Sequence, residues 1–207
     1  MEEKFLKAIK EIRKTDKKIN FDQTVDLIIN LKDFDIRRQA FNVFIELPYK
    51  IKDKKIAGFL EKNSNIIDSI KKEEFPRYKE KKDIKKLVQK YDFFIANTKL
   101  MPIVAASFGR VLGPSGKMPS PQLGIIQNED DKFLNDAIKK INSSVRIIVK
   151  EPSIKVGIGK ESLSDDNIAQ NALAVYNKIL ETLPRNKDNI RNVKIKLTMG
   201  KPVLVEI

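Results

Sequence analysis

Cysteine, histidine and tryptophan are all absent from this chain of 207 residues. Without Cys there are no disulfides and no thiolate chemistry. Without Cys and His together, the usual zinc ligands and the commonest general acid–base are missing. Those absences remove most hydrolase mechanisms and favour a non-enzymatic reading, with no metal or cofactor expected. With no Trp, and no Lys/Arg-Gly-aromatic signature of the RRM type, an exposed aromatic platform for stacking bases is not expected. No apolar run approaches the roughly 18 residues that a membrane-spanning helix requires. The opening Met1-Glu2-Glu3-Lys4 lacks the basic-then-apolar layout of a secretion signal. These features point to a cytoplasmic protein with no membrane partner.

Acidic residues are missing from one long stretch. The chain carries 28 Asp and Glu, yet none lies between Phe93 and Asn128. At the average frequency a window of that size holds roughly five, so the depletion needs a cause. Within it runs Phe108-Gly-Arg-Val-Leu-Gly-Pro-Ser-Gly-Lys-Met-Pro-Ser-Pro121, with three glycines and three prolines in fourteen residues. That composition predicts a shaped loop rather than a helix or central strand, with Arg110 and Lys117 at its rim facing a polyanion. The whole chain leans the same way. Lys and Arg number 41, the formal net charge is +13, and the pI is near 9.7. This balance favours nucleic acid or an anionic surface, while 41% hydrophobic content is ample for packed cores. The excess does not locate a binding face, because residues 1–57, 58–151 and 152–207 are net +4, +6 and +3.

Periodicity predicts an alternating order of helices and strands, hence an α/β or α+β fold. Phe5, Leu6, Ile9 and Ile12 mark an opening amphipathic helix. Val25, Leu27, Ile29 and Leu31 alternate with Asp26, Ile28 and Asn30 as a half-buried strand, and Phe41, Val43, Ile45 and Leu47 repeat the pattern. A short strand around Ile56 to Leu60 precedes two Lys-rich helices, Glu61–Lys71 and Lys81–Tyr91. Asp92 to Asn97 reads as a buried strand, and Met101 to Arg110 as a helix with Pro102 in its first turn. After the loop come a helix from Asp130 to Ile141 and strands at Val145–Val149 and Ile154–Ile158. Ser164-Asp165-Asp166 opens a long helix that ends at Pro184. Val193–Leu197 and Val203–Val205 close the chain as strands.

Several motifs have duller readings that win. Gly113-Pro-Ser-Gly-Lys117 fails as a Walker loop, since Val111 stands at the first glycine and Met118 at the Ser/Thr that holds magnesium. Gly157-Ile-Gly159 has Ser162 where a dinucleotide fingerprint needs Gly or Ala. Glu73-Glu74, Glu129-Asp130-Asp131 and Asp165-Asp166 are explained by helix N-termini or solvated surface. The Lys79–Lys90 segment, interleaved with Glu80 and Asp83, is a solvated helix face.

The loop itself resembles the signature of the ribosomal protein L-one family, the mobile-stalk protein of the large subunit. Two further blocks agree: Lys194-Ile-Lys-Leu-Thr-Met-Gly200 is similar to the family's C-terminal strand and turn, and Asn20-Phe-Asp-Gln-Thr-Val25 to its N-terminal RNA-binding block. Asp92-Phe-Phe-Ile-Ala96 and Leu100-Met-Pro102 match the archaeal branch, and the likeness runs end to end. The resemblance implies a split α/β domain, about 1–57 with 153–207, that binds RNA. A Rossmann-like α/β domain, 58–152, is inserted between its halves. It implies RNA contacts at Phe21, Thr24, Lys155, Thr198, Met199 and Gly200. It marks Gly109, Arg110, Gly113, Pro114, Gly116, Lys117, Met118 and Pro119 as the signature loop. As partners it implies the stalk helix of large-subunit rRNA, deacylated tRNA leaving the exit site, and the protein's own messenger as a target of repression, with the free protein a monomer. The rival readings are a non-ribosomal RNA-binding regulator of the same fold and a nucleotide-binding α/β enzyme.

Overall fold

The computed structural model describes residues 1–15, 20–39, 41–64, 66–78 and 80–206. The chain divides into two compact units, Met1–Lys52 with Ser143–Ile207, and Asp53–Asn142.

The discontinuous unit is built on a four-stranded antiparallel sheet in the order β10-β9-β1-β8, formed by β1 (Thr24–Leu31), β8 (Ser153–Lys160), β9 (Ile190–Leu197) and β10 (Val203–Val205). β1 alternates as its sequence demands, with Val25, Leu27, Ile29 and Leu31 buried. Their neighbours on that face are Ile154, Val156 and Ile158 of β8 and Val193, Ile195 and Leu197 of β9, all buried. Two helices cover this face. In α1 (Glu2–Thr15), Phe5, Ala8, Ile9 and Ile12 recur at helical spacing and are buried, with Glu2 and Glu3 in the first turn and Arg13 and Lys14 in the last, as the helix dipole favours. In α6 (Asp165–Thr182), Ser164 caps the start by accepting from the Asn167 N–H at 3.4 Å, and Asp165 and Asp166 occupy the first turn. Arg13 ties the two together. It lies 2.6 Å from Asp165 and donates to the Leu163 carbonyl at 2.7 Å.

A one-turn helix α2 (Ile36–Gln39) leads to β2 (Asn42–Glu46), which pairs antiparallel with β7 (Ser144–Ile148) as a separate ribbon. Leu47 N–H donates to the Ser143 carbonyl and Val149 N–H to the Phe41 carbonyl, extending that ribbon at both ends. This pairing moves the expected boundary. Residues 143–152 belong with the discontinuous unit, not the inserted one. Residues 53–57 move the other way, because Ile56 and Ala57 open a strand of the inserted sheet.

The inserted unit is a parallel sheet in the order β4-β3-β5-β6: β3 (Ile56–Phe59), β4 (Asp68–Ile70), β5 (Phe93–Asn97) and β6 (Ile125–Ile126). Its inner strands β3 and β5 read as nearly unbroken apolar runs, as expected for strands buried on both faces. Helices α3 (Lys81–Lys90), α4 (Met101–Leu112) and α5 (Asp131–Ser143) complete it. The helix expected over Glu61–Lys71 is not there. The segment contains β4 instead and is followed by a 3-10 helix, Lys72–Tyr78. Ile70 is buried against this core, so strand pairing with β3 outweighs the helical propensity of the lysines and glutamates around it. Among the described residues, no helix is long and apolar enough to cross a membrane, and no group of acidic side chains could hold a metal ion.

Helix α6 buries two polar side chains with opposite bookkeeping. Asn171, fully buried, donates to the Ile158 and Tyr49 carbonyls at 2.8 and 3.0 Å and accepts from the Tyr49 N–H at 3.0 Å. The hydroxyl of Tyr176, 1% exposed, meets no partner among the described residues, and burial raises its pKa. Asn171→Ala leaves buried backbone groups unpaired and is expected to cost about 2–3 kcal/mol in chemical denaturation. Tyr176→Phe removes only an orphan hydroxyl and is expected to be neutral or slightly stabilising. Equal losses from both would contradict this accounting.

Candidate RNA-binding face

The sheet of the discontinuous unit has one face under α1 and α6, and among the described residues no helix is seen packed on the other. Register defines the second as a set of rows. Asn192, Asn30 and Ser153 form a hydrogen-bonded row, with Asn30 donating to Asn192 Oδ1 at 2.6 Å and Ser153 donating to Asn30 Oδ1 at 2.8 Å. The next row runs Leu204, Lys194, Ile28, Lys155, alternating apolar and cationic groups, with Leu204 55% exposed. After it comes Lys196, Asp26, Gly157. Among the outward positions of these strands, Asp26 is the acidic one. Burial raises its carboxyl above the usual carboxylate range, against the opposing pull of Lys196 and Lys160. At Gly157 neighbouring side chains close over the backbone. A Cβ there would lie 3.0 Å from Thr24 Cγ2 and 3.6 Å from Asp26 Oδ1.

Thr24 and Thr198 meet at the end of these rows. The Thr198 hydroxyl donates to the Thr24 carbonyl at 3.2 Å and accepts from the Thr24 N–H at 3.1 Å, while Thr198 N–H donates to the same carbonyl at 3.1 Å. The hydroxyl's single proton is therefore committed, and what it can offer outward is an acceptor lone pair. The next turn is held from beneath. Gln23, 1% exposed, accepts from the Met199 N–H at 3.1 Å, and Gly200 N–H donates to the Leu197 carbonyl at 2.9 Å. Met199 is thereby displayed at 69% exposure, and Phe21 at 50%. These are two of the largest apolar exposures in the chain, at positions where plain core packing is the ordinary expectation.

Thus Thr24, Thr198, Met199 and Gly200 converge at one end of the β1–β9 pair. Phe21 is three residues before Thr24 on the approach to β1. Lys155 lies elsewhere on the face, opposite Ile28, about 13 Å along the strand from Thr24. Its ammonium is 3.5 Å from Glu151, an exposed pair of little energetic worth. Sequence reading missed Gln23, Asp26, Lys194 and Lys196. The strict alternation Lys194-Ile195-Lys196-Leu197 carried the signal for both lysines, since burying Ile195 and Leu197 turns them outward.

The signature loop lies in the inserted unit. Its first residues are helical. α4 runs through Gly109 and Arg110 to Leu112, because a helical Gly costs only about 1 kcal/mol and the prolines begin after the helix ends. Phe108 is fully buried, with its ring centroid 5.0 Å from that of Phe59 and 5.1 Å from that of Phe75. Gly113 and Pro114 are exposed beyond the helix, and Gly116 takes φ 70°, where a side chain would be strained. Lys117 is turned toward its own unit. Its ammonium donates to the Val88 and Tyr91 carbonyls at 2.7 and 2.8 Å, closing the C-terminal end of α3. Met118 is half-buried and Pro119 buried. Of the two cations, Arg110 alone stays exposed.

Comparison with known proteins places the chain in a family. The family described as "Ribosomal protein L1p/L10e family" matches residues 9–201. The chain belongs to that family. It is 36% identical to "Large ribosomal subunit protein uL1" of Pyrococcus horikoshii across 99% of this chain and 96% of the relative. It is 37% identical to the protein of the same name in Thermococcus kodakarensis across 99% and 97%. With that of Nanoarchaeum equitans it shares 38% identity across 91% and 93%. A member of this ribosomal family is a structural constituent of the large subunit, not an enzyme.

Two expectations follow. Thr198→Val removes a bridge between β1 and β9 and is expected to cost about 1–2 kcal/mol of stability, whereas Met199→Ala should stay within about 0.5 kcal/mol of the parent in the same denaturant titration. The second concerns Asp26. A carboxyl whose folded pKa is raised contributes stability below its unfolded pKa, and that stability is lost as pH rises through the folded value. Asp26→Asn should therefore melt higher than the parent near pH 7, with the gap closing as the medium is acidified to about pH 3. A gap that stays constant with pH would refute the assignment.

Proposed function

We propose that the discontinuous unit binds the stalk helix of large-subunit rRNA through the Thr24–Thr198 end of its open sheet face. The observation that carries this reading is the exposure of Phe21, three residues before Thr24, and of Met199, next to Thr198, at the end of a face carrying Lys155, Lys194 and Lys196. The Thr198 lone pair accepts from a ribose 2′-OH, the two apolar side chains pack on sugar or base, and the lysines meet phosphates. Family membership supports the ribosomal setting of this contact. In that setting the protein assists release of deacylated tRNA from the exit site. An RNA element of the same shape in its own messenger would dock on the same surface, which makes translational repression the natural second role.

Shape and charge separate on salt. At net +13, the protein binds many RNAs weakly at low salt, and that attraction weakens as counterions compete. Few phosphates need be neutralised at the proposed site. Raising monovalent salt several-fold should therefore abolish binding to an arbitrary hairpin while the stalk fragment stays bound, and DNA of the same sequence should bind far more weakly. Parallel loss of all three would reduce the interface to generic electrostatics.

A further inference from the structure

The inserted unit winds like a mononucleotide-binding fold but has no nucleotide fingerprint, and one of its own side chains stands in the crevice that such winding creates. Its chain starts in β3, passes to β4 on one side, then to β5 on the other, so the winding reverses between β3 and β5. In open parallel sheets, the crevice beyond the carboxyl ends of two such strands is where phosphate-bearing ligands are held.

Here that crevice already holds an anion. Beyond β3, the Glu61 N–H donates to Glu129 Oε1 at 2.8 Å and the Lys62 N–H to Glu129 Oε2 at 2.9 Å. At the end of β5, the Asn97 amide donates to Glu129 Oε1 at 2.6 Å. Asn97 is 4% exposed, and its own oxygen accepts from the Lys99 N–H at 2.9 Å, which fixes the direction in which the amide points. Two successive backbone N–H groups converging on one oxyanion, with a locked buried amide as third donor, form an anion-binding concavity. Burial works against the charge on Glu129, yet the hydrogen bonds from Glu61, Asn97 and Lys62 outweigh it and hold the carboxyl below its usual range. Glu129 is thus not the solvated helix-start residue that its sequence context implies.

The donors and the acceptor come from different parts of the unit. The donors stand at the ends of β3 and β5, in the middle of the sheet, while Glu129 lies in the connection of residues 127–130 between β6 and α5. Removing the Glu129 side chain leaves the donors in place and three hydrogen bonds unmade, one of them from a buried amide. Such a set retains its preference for an oxyanion.

We propose that the ends of β3 and β5 form a phosphate site whose resident ligand is the protein's own Glu129. The carboxylate takes the place of a phosphate group and excludes it, so the unit keeps nucleotide-type winding without accepting a nucleotide. Free phosphate enters when Glu129 is removed.

The test compares Glu129→Ala with the parent, using inorganic phosphate as the probe. Thermal unfolding is followed in phosphate and in chloride at matched ionic strength near pH 7, alongside a 31P NMR titration. The variant's midpoint should rise by several degrees on exchanging chloride for phosphate, with broadening of the phosphate line, while the parent shows neither. Adding Asn97→Ala to the variant should abolish the response. If Glu129→Ala does not fold in chloride, recovery on refolding in phosphate supports the proposal, and failure in both salts overturns it. Equal responses of variant and parent also overturn it, as does a response that survives loss of Asn97, since either places phosphate elsewhere on the basic surface.

Discussion

Everything in the discontinuous unit depends on β1 lying between β8 and β9. A strand from the first 31 residues has both neighbours from beyond residue 152, so neither terminal segment can bury its apolar face without the other. The core reflects this. Phe5, Ile9 and Leu27 from one segment pack in one cluster with Ile158, Val175 and Ile195 from the other. Insertion of a whole second unit is compatible with such a sheet, because strand pairing constrains the register and not the length of chain between partners. The same register creates the proposed site. Pairing Val25 with Leu197 sets Thr24 beside Thr198, and the hydroxyl bridge follows from that adjacency.

On the proposed function, discrimination among RNAs rests on fixed groups rather than on the large and diffuse positive charge. Lysines spread over both units supply attraction to any polyanion. The Thr-Met-Gly turn and Phe21 supply groups whose positions are fixed by backbone hydrogen bonds and by buried Gln23. Fixed acceptors and apolar contacts read shape and 2′-OH groups, which salt screens far less than phosphate attraction. Thr198 serves two ends at once: its proton holds the sheet together and its remaining lone pair faces outward.

In the inserted unit, polar and charged groups that look available in the sequence are turned inward. Lys117 closes the end of α3, and Glu129 occupies the crevice at the centre of the sheet. Both satisfy backbone groups that would otherwise be left unpaired, a need that recurs wherever helix and strand ends converge. The glycines and prolines of the signature loop serve the same end. They fold the chain tightly enough for Lys117 and Pro119 to pack back into the unit that carries them.

The sequence alone determined the elements whose residues repeat with a clear period: α1, β1, α4, α6 and β9 follow from where apolar side chains recur, and burial does not need to override them. The resemblance of three blocks to one family was legible as well, because it rests on short runs of residues and not on contacts between distant ones. Tertiary structure decided the rest. β4 replaced an expected helix because pairing with β3 outweighed local propensity, and the limits of the inserted unit moved because β7 pairs with β2 rather than with its sequence neighbours. The partners of Lys117 and Glu129 lie 26 to 29 and 32 to 68 residues away in the chain. No local pattern encodes a hydrogen bond across that separation, because it exists only once the sheet has placed the ends of its strands and helices side by side.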